Sequence, residues 1–369
     1  MTTSPTAERT APVEISLPEQ ASRLLGHIAG YVGHRTVAIG LRSGLLATLA
    51  DDATAVTADD LAVRLGLDPF YVAVWCRSAV ACGLCDPADA PGSGSGAAGL
   101  SGGRYRLAPH AAALLLDATH PGYVGGVFTV LEQDEVFDRF ERSLATGERL
   151  WWDDCSPDWI SGVAATGAPF YTRLVPGGLA QVPGLPARLE AGCDLVDTAC
   201  GSGAGLERLA RSYPRCRVVG VDGDAHSLEQ SRQRLADADL LGRCLLVHSP
   251  LEDMVLDEPA GCIVNNISMH ECRDIDRATE RVRAALEPGG WFVISDFPFP
   301  DSTDALRSIP GRVMSGIQFF EAQIDDQLLP RSAYPDLLQR HGFTAVDQFD
   351  LSGVHTVTHG RTAGSATVG

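Results

Sequence analysis

From about residue 190 onward the chain alternates apolar runs with amphipathic stretches, and this alternation limits the possible folds more than any other feature. CDLVDTAC (193–200) reads as a strand, AGLERLARSY as a helix, and CRVVGVDGD as a second strand. HSLEQSRQRLADADL is a helix and RCLLVHSP a third strand, while CIVNNISM (262–269) is a fourth. IDRATERVRAALEPGG (275–290) is a helix and WFVISDFPF a fifth strand. Strands that alternate with helices in this way specify a parallel sheet covered on both faces. The closing FTAVDQFDLSGVHTVTHG adds two strands joined by a turn at Leu351–Gly353.

The upstream half follows other rules. Residues 17–34 and 36–50 carry apolar positions at helical spacing. VTADDLAVRLGLDPFYVAVWCRSAVACGLC gives two more helices, with Thr57 as N-cap of the first and Asp68–Pro69 opening the second. A low-complexity loop, PADAPGSGSGAAGLSGG, and a short strand, RYRLAP, complete a winged-helix-like pattern, the loop being mobile. Residues 109–185 read as helices with an aromatic-rich middle, including Trp151, Trp152, Trp159, Phe170 and Tyr171, most of them core. A chain of 369 residues is long for one core. The expected division is a disordered tail (1–16), a winged-helix-like domain (17–115), a helical linker lining the substrate (116–187), the sheet domain (188–360) and a flexible tail (361–369).

Composition narrows the function classes. Hydrophobic residues make up 45% of the chain, enough for a sizeable core. No apolar run approaches the ~20 residues of a membrane span, and the first fifteen residues lack the pattern of a secretory signal. A cytoplasmic protein with no membrane partner is expected. A net charge of −18 with no Arg-rich cluster argues against nucleic acid. All 29 basic residues are arginine, which excludes Schiff-base and P-loop lysine chemistry. Cys82 and Cys85 form a lone C-x-x-C without histidines or a second pair, so they are read as buried small hydrophobes.

The sharpest local signal is DTACGSGAG, at Asp197–Gly205, between a strand and a helix. Gly201, Gly203 and Gly205 permit tight turns and close approach of a ligand to the helix start. About twenty residues later the next strand ends in Asp222, where a carboxylate can accept both hydroxyls of a ribose. The third glycine follows the second after one residue, unlike the dinucleotide fingerprint G-x-G-x-x-G, and Asp197 can orient an amino-acid group.

VDTACGSG, VVGVD and LEPGGWFVISD together resemble a class I S-adenosylmethionine-dependent methyltransferase. The upstream half is similar to the dimerisation domain of small-molecule O-methyltransferases of bacterial natural-product and plant phenolic pathways. The resemblance implies a Rossmann-like seven-stranded α/β sheet with its last strand antiparallel, bound S-adenosyl-L-methionine and a homodimer formed through the N-terminal domain. It places Asp197, Cys200, Gly201 and Gly203 at the methionine end, Asp222 at the ribose and Gly223 beside it. Ser249, Pro250 and Leu251 stand where the family contacts adenine, and Pro250 cannot supply the family's carboxylate there. Glu252 or Asp253 is the expected substitute. Asn266 lies at a cofactor-contacting position.

After the fourth strand comes NNISMHECRD, where family members commonly carry His-Asp and use the histidine as general base. Here the pair is His270–Glu271. Methyl transfer to a hydroxyl requires loss of its proton, and histidine suits that task. Asp296 lies where the family places a carboxylate that orients the ring. Glu321 and Gln323 could face the substrate between the domains, but the preferred reading is an amphipathic helix over the sheet with solvated carboxylates. His270, Glu271 and Glu321 could also hold a metal, but their spacing matches no metal signature and none is expected. The resulting reading is methyl transfer to a hydroxyl of a small-molecule acceptor. The alternatives are C- or N-methylation, a non-methylating reaction on the same fold, a ligand-sensing winged-helix regulator and a dinucleotide oxidoreductase.

Overall fold

The computed structural model describes residues 15–88, 103–133, 136–150 and 155–364. Nearly all of the expected N-terminal tail, most of the Gly/Ser/Ala loop, Trp151 and Trp152, and the end of the C-terminal tail lie outside the described residues. The chain divides into two compact units, Met1–Ala112 and Ala113–Gly369. Among the described residues no helix is long and apolar enough to cross a membrane.

The first unit contains α1 (Leu17–Arg42), α2 (Leu45–Asp51), β1 (Val56–Thr57), α3 (Ala58–Leu65), α4 (Pro69–Ala81), β2 (Cys85–Pro87) and β3 (Arg104–Leu107). Where two helices were expected before residue 50 with a break near residue 35, α1 continues to Arg42. The chain turns instead at Gly44, whose φ of 78° ends the helix at little cost to glycine. Thr57 and Asp68 cap α3 and α4 as expected, Thr57 accepting from the Asp60 N–H and Asp68 from those of Phe70 and Tyr71. The three strands form an antiparallel sheet in the order β1-β3-β2. The sequence reading missed β1 and β2, which at two and three residues carry no periodicity. Cys85 is buried in β2, but Cys82 is exposed: α4 stops at Ala81, and Gly83 turns the chain with φ 69°. Leu46, Leu49, Leu61, Trp75 and Tyr105 fill the core of this unit.

A short α5 (Ala111–Leu115) spans the division. The second unit continues with α6 (Gly125–Val130), α7 (Phe137–Ser143), α8 (Pro157–Arg173) and α9 (Leu185–Ala191). Then follow β4 (Asp194–Thr198), α10 (Ala204–Ser212), β5 (Arg217–Asp222), α11 (Ala225–Asp237), β6 (Cys244–His248), β7 (Ala260–Asn266), α12 (Ile275–Ala285) and β8 (Leu286–Asp296). The unit closes with α13 (Thr303–Arg307), α14 (Ile309–Glu321), α15 (Ala333–Arg340), β9 (Thr344–Ser352) and β10 (His355–Arg361). Its seven strands lie in the order β6-β5-β4-β7-β8-β10-β9. The first five are parallel, and β10, last in the chain, runs antiparallel to both its neighbours.

Side chains alternate across this sheet with the period of two that strands impose. Leu195, Val218, Val264, Val293 and Val357 share one core with Leu206 and Leu235. Val196, Val219, Ile263, Phe292 and Ile294 share another with Val282 and Leu338. Apolar cover on both faces explains why these strands read as continuous hydrophobic runs.

Several element boundaries differ from the sequence reading, among them two beside the site. The helix expected to reach residue 290 ends at Ala285, because Glu287-Pro-Gly-Gly cannot continue it, and the chain enters β8 at Leu286, opposite Ala260. β7 ends at Asn266 and not Met269, since Ile267 takes φ 50° and leaves the strand conformation. Strand order reverses between β4 and β7, and crevices at such reversals are where open α/β sheets bind ligands.

Phe292 is fully buried with its ring 6.0 Å from that of Phe343. Phe292→Ala should lower the unfolding free energy by about 3–5 kcal/mol in denaturant titration; a loss below ~1 kcal/mol would contradict this packing.

Candidate functional site

β4 delivers Asp197 to the reversal point, and the chain then turns through Gly201 and Gly203, at φ 53° and 80°. A side chain at Gly203 would stand 2.8 Å from Ser231 Oγ. Gly205, already inside α10, serves a different purpose. A Cβ there would lie 2.2 Å from the Tyr171 ring and 2.5 Å from Asp197 Oδ2. Its absence lets Tyr171, from α8, reach the strand end and donate its hydroxyl to both Asp197 oxygens, at 3.0 and 2.9 Å.

Asp197 is fully buried. Burial lifts its carboxyl to about 8; the Tyr171 hydrogen bond opposes the rise and the nearby Asp222 adds to it. Burial also raises Asp222, although the N–H groups of Asp224 and Gly201 donate to it at 2.8 and 2.7 Å and pull the other way. The Cys200 thiol packs into the sheet core, so only its main chain borders the turn. Gly223 follows Asp222, its carbonyl 2.9 Å from His248 Nε2. Ser249 is half-buried and donates its N–H to the Asp222 carbonyl, and Leu251 is buried among the residues beneath it. Glu252 and Asp253, expected as substitutes for the missing adenine contact, are engaged by the segment leading into and starting α12. Glu252 accepts from the Asp274 N–H, and Asp253 pairs with Arg277.

Beyond β7, a single helical turn over Met269–Glu271 carries the second cluster. Asp296, at the end of β8, is its hub. Oδ2 lies 2.9 Å from His270 Nδ1 and accepts the Tyr334 hydroxyl at 2.5 Å, while Oδ1 accepts the Phe297 N–H at 2.7 Å. These bonds fix the imidazole, whose side chain is 1% exposed, and turn Nε2 toward Glu321 Oε2 at 3.7 Å and Glu271 Oε1 at 4.0 Å. Neither His270 Nε2 nor Glu321 Oε2 has a hydrogen-bond partner. One oxygen from each glutamate and one ring nitrogen lie within 4.8 Å of one another, a set able to hold a metal ion. Burial alone would lower the imidazole pKa, but Asp296 and then Glu321 raise it well above the ordinary histidine value. Glu271 is raised strongly by burial and by Glu321, Asp326 and Asp296, against the opposing effect of His270. Burial, with Glu321 next, lifts Asp326 to about 7.

A third network fixes Asn266. The Arg173 guanidinium donates to His355 Nδ1 at 2.9 Å, so the proton of that ring sits on Nε2, 2.6 Å from Ser295 Oγ. Burial, with Arg173 adding, holds the ring neutral by depressing its pKa to about 2. Ser295 in turn donates to Asn266 Oδ1 at 2.7 Å. The direction of these bonds leaves the Asn266 Nδ2 donor, also buried, without a protein partner.

The structure thus gathers Asp197, Gly201, Gly203 and Asp222 at one turn and His270, Glu271 and Asp296 at another. It contradicts the solvated reading of Glu321 and Gln323, which are 4% and 3% exposed, because the end of α14 and the turn after it face inward. Tyr171, Tyr334, Asp326 and the Arg173–His355 pair went unrecognised. Each reaches its partner across 26 or more residues of sequence or, for Asp326, by a turn in the backbone, and no spacing rule announces such contacts.

Residues 195–290 match the family model described as methyltransferase domain. A trans-aconitate 2-methyltransferase of Afipia carboxidovorans is 41% identical over 166 residues, which are 44% of this chain and 59% of that protein. The chain therefore spans about three fifths of the length of this curated relative. Human N-acetylserotonin methyltransferase, solved in complex with SAM, superposes with a TM-score of 0.65 at 14% identity, over 95% of this chain and 100% of that one. An O-methyltransferase family protein from Burkholderia thailandensis gives 0.64 at 15% identity, over 96% and 100%. Residues 195–290 are thus similar to a methyltransferase domain, and the chain has the fold of these solved methyltransferases, the class I S-adenosylmethionine-dependent methyltransferase fold.

Proposed function

We propose that the chain binds S-adenosylmethionine across the β4–α10 turn and passes its methyl group to an oxygen of a small-molecule acceptor held beside His270. The observation that carries this reading is the pair of carboxylates at the turn, the buried Asp197 and the half-buried Asp222, both pushed toward their neutral forms by desolvation. A ligand that brings an ammonium group to one and ribose hydroxyls to the other relieves that cost, and this nucleoside offers both groups. When bound, it supplies an electrophilic methyl on a sulfonium. Asp197, steadied by Tyr171, takes the amino-acid end, Asp222 the ribose, and the main chain of Gly201 and Gly203 leaves room for close approach. Cys200 and Gly223 contribute main chain at the edges, and Ser249 and Leu251 border the base. The Asn266 amide, pre-oriented by Ser295, donates to an oxygen of the bound molecules.

His270 handles the acceptor's proton through Nε2, with Asp296 holding the ring from the other side. The same carboxylates favour the charged ring, so that task requires part of their charge to be offset. In the first unit, α1 exposes Leu24, Leu25, Ile28 and Tyr31, and α4 exposes Phe70 and Tyr71. Apolar surface of that extent supports pairing with a second copy of the chain.

Calorimetry with S-adenosylhomocysteine tests the cofactor assignment. Binding should be saturable, with NAD and NADP giving none, and Asp222→Ala should weaken it roughly 10- to 100-fold through lost charge-assisted hydrogen bonds. Unchanged affinity in that variant would refute the ribose role. With its folded-state pKa near 8, Asp197 is mostly protonated at pH 7, and a bound ammonium group lowers that value. Binding at pH 7 should therefore release most of one proton, seen as heat that depends on the ionisation enthalpy of the buffer; no release would mean that Asp197 is already ionised. Light scattering should give the mass of a dimer, and Ile28→Glu should shift it toward the monomer.

A further inference from the structure

Carboxyl groups crowd the His270 imidazole: Asp296 lies at 2.9 Å, Glu321 at 3.7 Å and Glu271 at 4.0 Å. Asp296, Glu271, Glu321 and Asp326 all act on a single ring. Asp296 is satisfied by three donors, from His270, Tyr334 and the Phe297 N–H. The remaining acceptors are not: His270 Nε2, Glu321 Oε2 and Asp326 Oδ2 are buried and bonded to nothing. Unpartnered buried polar atoms are costly, and a cation held between His270 Nε2 and Glu321 Oε2, 3.7 Å apart, would satisfy both.

We propose that His270 Nε2, Glu271 and Glu321 bind one divalent transition-metal cation, with Asp326 as the neighbouring carboxylate. Three features support it. The ligand atoms lie within 4.8 Å of one another, with Nε2 3.7 Å from Glu321 and 4.0 Å from Glu271. A cation at ~2.0–2.2 Å from each would hold them about 3.0–3.5 Å apart, a closure within the reach of small glutamate side-chain rotations. The imidazole is already oriented for ligation, because a carboxylate on its other nitrogen fixes both tautomer and ring plane, the usual support of a metal-bound histidine. One imidazole with carboxylates suits Mn²⁺, Fe²⁺ or Zn²⁺ better than Mg²⁺, which prefers oxygen ligands and retained water. Three protein ligands leave positions open.

The consequence for the acceptor rests on the methyl-transfer reading above. An acceptor with an oxygen donor, or two vicinal ones, would occupy the open positions. Its hydroxyl, acidified by the cation, releases its proton to water. The oxygen then forms the new O–C bond as the S–C bond breaks, and the sulfur keeps the electron pair. His270 acts here as a ligand, so in this form of the site the acceptor's proton passes to water and not to Nε2.

Chelator-stripped full-length protein, with no nucleoside present, is titrated with Mn²⁺, Zn²⁺ and, for comparison, Mg²⁺. One Mn²⁺ or Zn²⁺ per chain is expected, and Glu321→Gln and Glu271→Gln should each weaken uptake at least tenfold. A cooperative thermal transition identifies variants that remain folded, and added Mn²⁺ should raise the melting temperature of the wild type but not that of Glu321→Gln. Absence of saturable uptake by the wild type, or equal uptake by folded Glu321→Gln, overturns the site. A protein that takes the cation but never binds S-adenosylhomocysteine refutes methyl transfer and leaves the site standing, while the reverse result refutes only the site.

Discussion

The carboxylate of Asp296 is the contact on which the candidate chemistry depends. It sits at the end of a central strand and accepts three hydrogen bonds, from the turn after β7, from α15 and from its own main chain. Without it the His270 ring would be free to rotate and Nε2 would have no fixed direction. Burial makes the arrangement effective, since hydrogen bonds to an anion are stronger where water is excluded. Burial also raises the pKa values of Glu271 and Asp326, which lessens the negative charge held inside.

The neighbouring residue does comparable work on the opposite face. Successive residues of a strand point to opposite sides, so Ser295 joins the network of Arg173, His355 and Asn266 while Asp296 joins that of His270. Arg173 carries no acceptor, and this single fact sets the direction of every bond down the chain to the Asn266 amide. The aromatic ring of Phe170 supports the relay, its centroid 4.4 Å from that of His355 at a 45° tilt and with the Arg173 guanidinium 4.8 Å above it.

Much of this was legible in the sequence because it is local. Strand–helix alternation marks the sheet and the glycine turn its ligand end, whereas His270 and Asp296 stand out by the positions they share with the resembled family. What escaped was of two kinds. Short strands such as β1 and β2 carry too few residues for a period to register. Long-range partners such as Tyr171 and Tyr334 are ordinary core aromatics until the fold brings a carboxylate to their hydroxyls. Glu321 was misjudged for a related reason: a charged residue at a helix end reads as solvated, and only tertiary packing reveals that it faces inward.

Gly205 illustrates how an unremarkable position can govern tolerance to change. The residue lies within a helix, where alanine is normally the better choice by ~1 kcal/mol. Here even a methyl group would collide with Tyr171 and force that ring off the strand end. A library that scored substitutions by helix propensity alone would rank this site among the safest to mutate, whereas steric exclusion makes it one of the least permissive in the unit.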